Sequence, residues 1–179
     1  MSHHILSKAT VYRAHAFSVE NLRVRLPDQR EGEYNLVRHN DSVTILPLDE
    51  GGNIWFVTQF RMGSESILLE LPAGVMNSGE DPRECALREV REEIGMAAGS
   101  LEALGAIYLA PGYSSEINHV FLATQLYPAP LAQDEDEFLG LEKVSASQAL
   151  ELAISGRLQD SKSLAALLLA ANKLGITLA

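Results

Sequence analysis

Cysteine is almost absent. Cys85 is the only one in 179 residues, so no internal disulfide can form and the chain suits a reducing compartment. Long apolar runs are missing as well. The most apolar stretch, residues 164–171, falls far short of the roughly 20 residues needed to cross a bilayer. The opening Met1-Ser2-His3-His4 lacks the basic and apolar regions of a secretion signal. Together these absences lead to the expectation of a cytoplasmic protein with no membrane partner. Positive charge is scarce too. Lys+Arg 14 against Asp+Glu 24 leaves a net charge of −10, which argues against nucleic-acid or acidic-membrane binding by bulk electrostatics. An anionic substrate would need a local source of positive charge, and a metal ion is the simplest one. What remains is ordinary: 46% hydrophobic and 21% charged residues, in a chain long enough for a substantial core.

No internal repeat or long linker interrupts the chain. Residues 11–20 and 21–26 alternate loosely and read as two strands, followed by a turn at Pro27-Asp28-Gln29. Residues 42–48 and 54–60 are β-branched and aromatic runs around Asp49-Glu50-Gly51-Gly52-Asn53, which predicts a hairpin. A strand is expected over 67–71, ended by Pro72-Ala73-Gly74. Residues 81–94 switch to helical periodicity, with Ala86, Leu87, Val90 and Ile94 on one stripe. Asp81 fits the N-cap, Pro82 the first helical position, and Gly95 the stop. Strands over 101–109 and 118–126 flank the loop Ala110-Pro111-Gly112-Tyr113-Ser114-Ser115-Glu116, and a last strand is expected over 138–144. Helices over 147–155 and 161–174 close the chain, each ended by a glycine, Gly156 and Gly175. Strands first, one helix among them and helices last favour an α/β (α+β) layered fold over a doubly wound one.

The informative segment runs from Gly74 to Met96. At about 100° per residue, Glu89 and Glu93 share a helix face and Glu92 lies beside them. Crowded carboxylates repel, and hard cations such as Mg²⁺ want that set of oxygens. Taken alone, the cluster reads equally well as a solvated acidic face with Arg88 and Arg91 as local partners. The full spacing decides. Gly74, Glu80, Arg88, Glu89, Val90, Glu92, Glu93, Gly95 and Met96 occupy all nine specified positions of G-x5-E-x7-R-E-U-x-E-E-x-G-U, with U aliphatic. The segment therefore resembles the Nudix box.

That resemblance implies a mixed β-sheet sandwiched between helices, and divalent-metal-dependent hydrolysis of a nucleoside diphosphate linked to another group. Mapped onto this sequence, Glu89 and Glu93 become the principal ligands of Mg²⁺ (or Mn²⁺). Glu92 becomes an additional ligand or a catalytic base, Glu80 a water-mediated ligand or loop anchor, and Arg88 the residue that orients the glutamates. The carbonyl of Ala73 becomes a further ligand. The metals would supply charge neutralisation and water activation.

Outside the box, Pro111 lies sixteen residues after Gly95, within a loop similar to that of the ADP-ribose pyrophosphatase branch. Ala110 stands where that branch often has serine. By the same resemblance, Glu116 is a general base or a helper of the attacking water, Pro111 and Gly112 shape the substrate loop, and Arg61 holds phosphate or ribose. Read without the resemblance, the loop is a Pro-Gly turn with an exposed glutamate, and Arg61 is a surface residue. Residues 1–40 are expected to form an antiparallel strand extension for homodimer and substrate contacts, ahead of a Nudix domain over 41–179. Tyr12, Phe17 and Tyr34 could stack on a base or simply pack. The five histidines lack zinc spacing, Cys85 reads as a small buried hydrophobe, and the acidic run at 134–137 reads as a solvated loop. The expected reaction is ADP-ribose to AMP and ribose 5-phosphate. GDP-mannose or ADP-glucose hydrolysis is the nearest alternative, and nucleotide sensing without cleavage is a more distant one.

Overall fold

The computed structural model describes residues 2–133 and 138–175. The acidic run at 134–137 lies outside the described residues. Ten strands and three helices make up the described chain: β1 (His4–Arg13), β2 (Phe17–Arg25), β3 (Glu31–His39), β4 (Ser42–Pro47), β5 (Asn53–Arg61), β6 (Ser66–Glu70), β7 (Ala73–Val75), α1 (Pro82–Glu93), β8 (Met96–Tyr108), β9 (Ile117–Pro128), β10 (Gly140–Ser145), α2 (Ala146–Ile154) and α3 (Ser161–Ala170). No described helix is long and apolar enough to cross a membrane.

The strands form three sheets, ordered β1-β2-β3, β10-β5-β6 and β7-β4-β9-β8. The last is mixed. β4 runs parallel to β9 and antiparallel to β7. All six residues of β4 are buried, as expected for a strand covered on both faces. Val43 and Ile45 point to one core, shared with Cys85, Ala86 and Val90 of α1. Leu46 belongs to the other, shared with Ala149 of α2 and Ala166, Leu167 and Ala170 of α3. Helices thus cover both faces, and the fold is the expected mixed sheet between helices.

Five local expectations need correction. The strand expected over 11–20 straddles a turn, where the Ala14 N–H donates to the Phe17 carbonyl (2.8 Å). The N-terminal sheet has three strands, because β3 pairs with β2 over nine residues. The expected hairpin over 42–60 is only a bridge, Leu48 with Ile54. Beyond it β4 runs between β7 and β9 and β5 between β10 and β6, so each strand already has partners on both edges in a different sheet. Finally, β8 begins at Met96 rather than 101, and α3 stops at Ala170 rather than 174. β1, the strand expected to meet a partner, exposes all ten of its residues, Ile5, Val11 and Tyr12 among them.

Candidate active site

The helix carrying the acidic motif starts as expected. Asp81 accepts from the Arg83 N–H (2.8 Å), Pro82 takes the first turn, and Gly95 adopts φ +71° just after Ile94. Cys85, Ala86 and Val90 seat α1 on β4 and β8. That seating turns Glu89 and Glu93 inward, leaving them only 7% and 6% exposed. An acidic face meant only for solvent would not be buried, since an ionised carboxylate loses hydration there. The Arg91 Nε donates to the Ala129 carbonyl (2.9 Å).

Arg88 gathers the remaining charges. Its Nε and Nη2 donate to Glu80 (3.0 and 3.1 Å), and its Nη1 donates to Glu89 Oε1 (2.6 Å) and Glu92 Oε2 (2.8 Å). The Glu80 bonds push the guanidinium's proton affinity up, and the same bonds hold the Glu80 carboxyl below its usual range. Glu80 also accepts from the Asn77 N–H (2.8 Å), which closes the loop between β7 and α1. Cys85 Sγ accepts from Arg88 Nη2 (3.2 Å). Burial, with Glu89 adjacent, pushes this thiol up to about 12, so it is a neutral packing group rather than a nucleophile.

β7 brings the other side of the site. Its pairing with β4 places Gly74 opposite Val43 and Ala73 opposite Thr44. A Cβ at Gly74 would overlap the Glu89 carboxylate, so any other residue here would push that carboxylate out of its place. The Ala73 N–H donates to Glu93 Oε2 (3.2 Å), which puts that backbone unit directly against the second inward carboxylate. An open cleft of about 820 Å³ lies over this surface, with Arg88, Glu89, Glu92, Gly74 and Asn77 in its wall together with His15 and Gln59.

The donor set suits a hard divalent cation: carboxylate oxygens converge beside a glycine that lets the backbone come close. Among the described residues, no three His, Cys, Asp or Glu side chains enclose a cation as they stand. Arg88 bridges Glu80, Glu89 and Glu92 instead.

The other expected site residues lie farther out. Arg61 forms a two-pronged pair with the buried Glu70 (2.7 Å for each bond), and Glu70 also accepts from Lys162 (3.4 Å). This Glu70 bond, aided by the charge of Glu93, raises the Arg61 proton affinity. Arg61 is therefore a partly exposed cation near Glu93, anchored on one side. Pro111 and Gly112 form an exposed tip and do not line the cleft.

Glu116 is half enclosed and also outside the cleft wall. Ser42 Oγ donates to its Oε1 (2.7 Å), and His39 Nδ1 stands 3.8 Å from its Oε2. The loop before it is pinned to β3. The Val37 N–H donates to the Tyr113 carbonyl (2.7 Å), and the Ser115 N–H donates to the Val37 carbonyl (3.0 Å). Ser42 and Asn118 escaped the sequence reading, and His15, counted there only among histidines without zinc spacing, lines the cleft beside Gln59. His39 ends β3 and stacks on Phe17 with centroids 6.2 Å apart.

Comparisons with known proteins follow the same line. The family model described as the NUDIX domain matches residues 38–167. An ADP-ribose pyrophosphatase of Bacillus subtilis (strain 168) is 38% identical over 142 residues, covering 78% of this chain and 77% of its own. A methanol dehydrogenase activator of Bacillus methanolicus is 35% identical, covering 80% of this chain and 78% of its own. A solved ADP compounds hydrolase superposes with a TM-score of 0.87 at 27% identity, over 98% of this chain and 95% of its own. With the acidic motif complete and the family model spanning most of its length, the chain belongs to the Nudix family and is a Nudix hydrolase.

Proposed function

We propose that this enzyme hydrolyses the pyrophosphate bond of ADP-ribose, giving AMP and ribose 5-phosphate. The observation that carries the reading is the convergence of Glu80, Glu89 and Glu92 on Arg88 at one cleft, with Glu93 beside Ala73. A site so acidic repels a diphosphate unless cations are present, and Glu89, Glu93, Glu92, Glu80 and the Ala73 carbonyl are the residues that would hold Mg²⁺ or Mn²⁺. When bound, these ions neutralise the diphosphate and activate water. The similarity to proteins named ADP-ribose pyrophosphatase and ADP compounds hydrolase favours an ADP-linked substrate.

The chain's own groups divide the remaining work. Arg88 keeps the carboxylates in register before the cation enters. Arg61, held by Glu70, offers its exposed edge to a phosphate or the terminal ribose. Pro111 and Gly112 form the loop tip that meets the substrate. Glu116 takes the proton of the attacking water. Glu92 is a second reading for that base, because it lines the cleft itself whereas Glu116 does not.

A substrate panel tests the proposal. With Mg²⁺ present, kcat/KM for ADP-ribose should exceed that for ADP-glucose and GDP-mannose by at least about tenfold, the smallest margin that amounts to substrate choice at the transition state. The products should be AMP and ribose 5-phosphate in equal amounts. Preference for GDP-mannose, with GMP as product, would assign the enzyme to the neighbouring substrate class.

A further inference from the structure

Ser42 and Asn118 form a buried pair that no other part of the site explains. The register across the mixed sheet aligns Val75 of β7, Ser42 of β4 and Asn118 of β9 in one row. Ser42 is 4% exposed and Asn118 is fully buried. The Asn118 Nδ2 donates to Ser42 Oγ (2.9 Å), and Ser42 Oγ donates to Glu116 Oε1 (2.7 Å).

The chemistry fixes the direction of both bonds. An ionised carboxylate only accepts, so the serine proton must point at Glu116. The serine oxygen then needs a donor, and the amide nitrogen of Asn118 is that donor. Asn118 Oδ1 has no partner among the described residues. Burying an amide with one end unsatisfied is costly, so the bond to Ser42 is what this residue contributes at its position. Asn118 thus directs the hydroxyl, and the hydroxyl ties down one oxygen of the carboxylate.

We propose that Ser42, oriented by Asn118, is a positioning residue for Glu116 in the hydrolytic step. It holds Oε1 so that the other carboxylate oxygen is presented to the attacking water. The inference rests on the reading of Glu116 as the base. Val75, on the edge strand β7 in the same row, lines the cleft wall.

The test is a double-mutant cycle on ADP-ribose turnover with saturating Mg²⁺, comparing Ser42→Ala, Glu116→Ala and the double variant. Ser42→Ala removes one oxygen and leaves the buried Asn118 amide without its acceptor, so thermal melting should fall somewhat, while an unchanged circular dichroism spectrum will show that the fold survives. Loss of a hydrogen bond to a charged group predicts a fall in kcat of at least about tenfold, with KM nearly constant. In the Glu116→Ala background the same change should cost nothing further, because the group it positions is gone. A slow Glu116→Ala beside a wild-type Ser42→Ala overturns the positioning role and leaves the base assignment standing. Losses that multiply in the double variant also overturn it, since Ser42 would then act through the fold. A wild-type rate for Glu116→Ala overturns the base assignment, and the positioning role with it.

Discussion

Glu93→Gln should lower kcat for ADP-ribose by at least about 10²-fold, because it deletes a negative ligand where charge develops in the transition state. The side chain is buried, so the choice of substitution matters. Glutamine keeps the shape and an acceptor oxygen for the Ala73 N–H, the bond that joins α1 to β7. The fold should therefore persist, with a melting temperature within a few degrees of wild type. Alanine would confuse the result by leaving that N–H without its partner in a closed space. A Glu93→Gln enzyme at near wild-type rate would move the metal site away from this helix face.

The second large effect concerns the base. If Glu116 accepts the proton of the attacking water, Glu116→Gln should reduce kcat by about 10²–10⁴-fold while changing KM only slightly. Glutamine can still accept from Ser42, so the loop should stay where Ser42 and the pairing with Val37 hold it. Glu92→Gln is the necessary companion. Glu92 meets Arg88 Nη1 and lines the cleft, which makes it the competing base. A silent Glu116→Gln beside an inactive Glu92→Gln would transfer the role to the helix.

Much of this site was legible because its signals are local. Asp81, Pro82 and Gly95 mark the ends of α1 by capping chemistry, and the glutamate spacing follows from the helical repeat. Gly74 is legible as a required residue, and the structure supplies the reason in the Glu89 carboxylate that a side chain would strike. Burial of Glu89 and Glu93 was not legible. It depends on Cys85, Ala86 and Val90 docking α1 against β4, and periodicity alone permits the acidic face to look outward.

The misses share one cause: they are set by pairing between distant segments. β1 exposes every residue and so carries no burial alternation to read. β3 is charged and polar along most of its length, yet it pairs with β2 throughout. The strands over 42–60 look like a hairpin by composition, but each is claimed by different partners. Ser42 and Asn118 are 76 residues apart and meet only because β4 lies parallel to β9 in one register. Nothing in either local sequence marks such a meeting.

In the proposed mechanism, the carboxylates gathered by Arg88 serve catalysis by holding divalent cations against a diphosphate. AMP release from ADP-ribose, followed as EDTA strips the divalent ions and Mg²⁺ is then restored in excess, tests it most directly. Turnover should fall to background with chelator and return fully with Mg²⁺. Undiminished turnover in excess EDTA would contradict it.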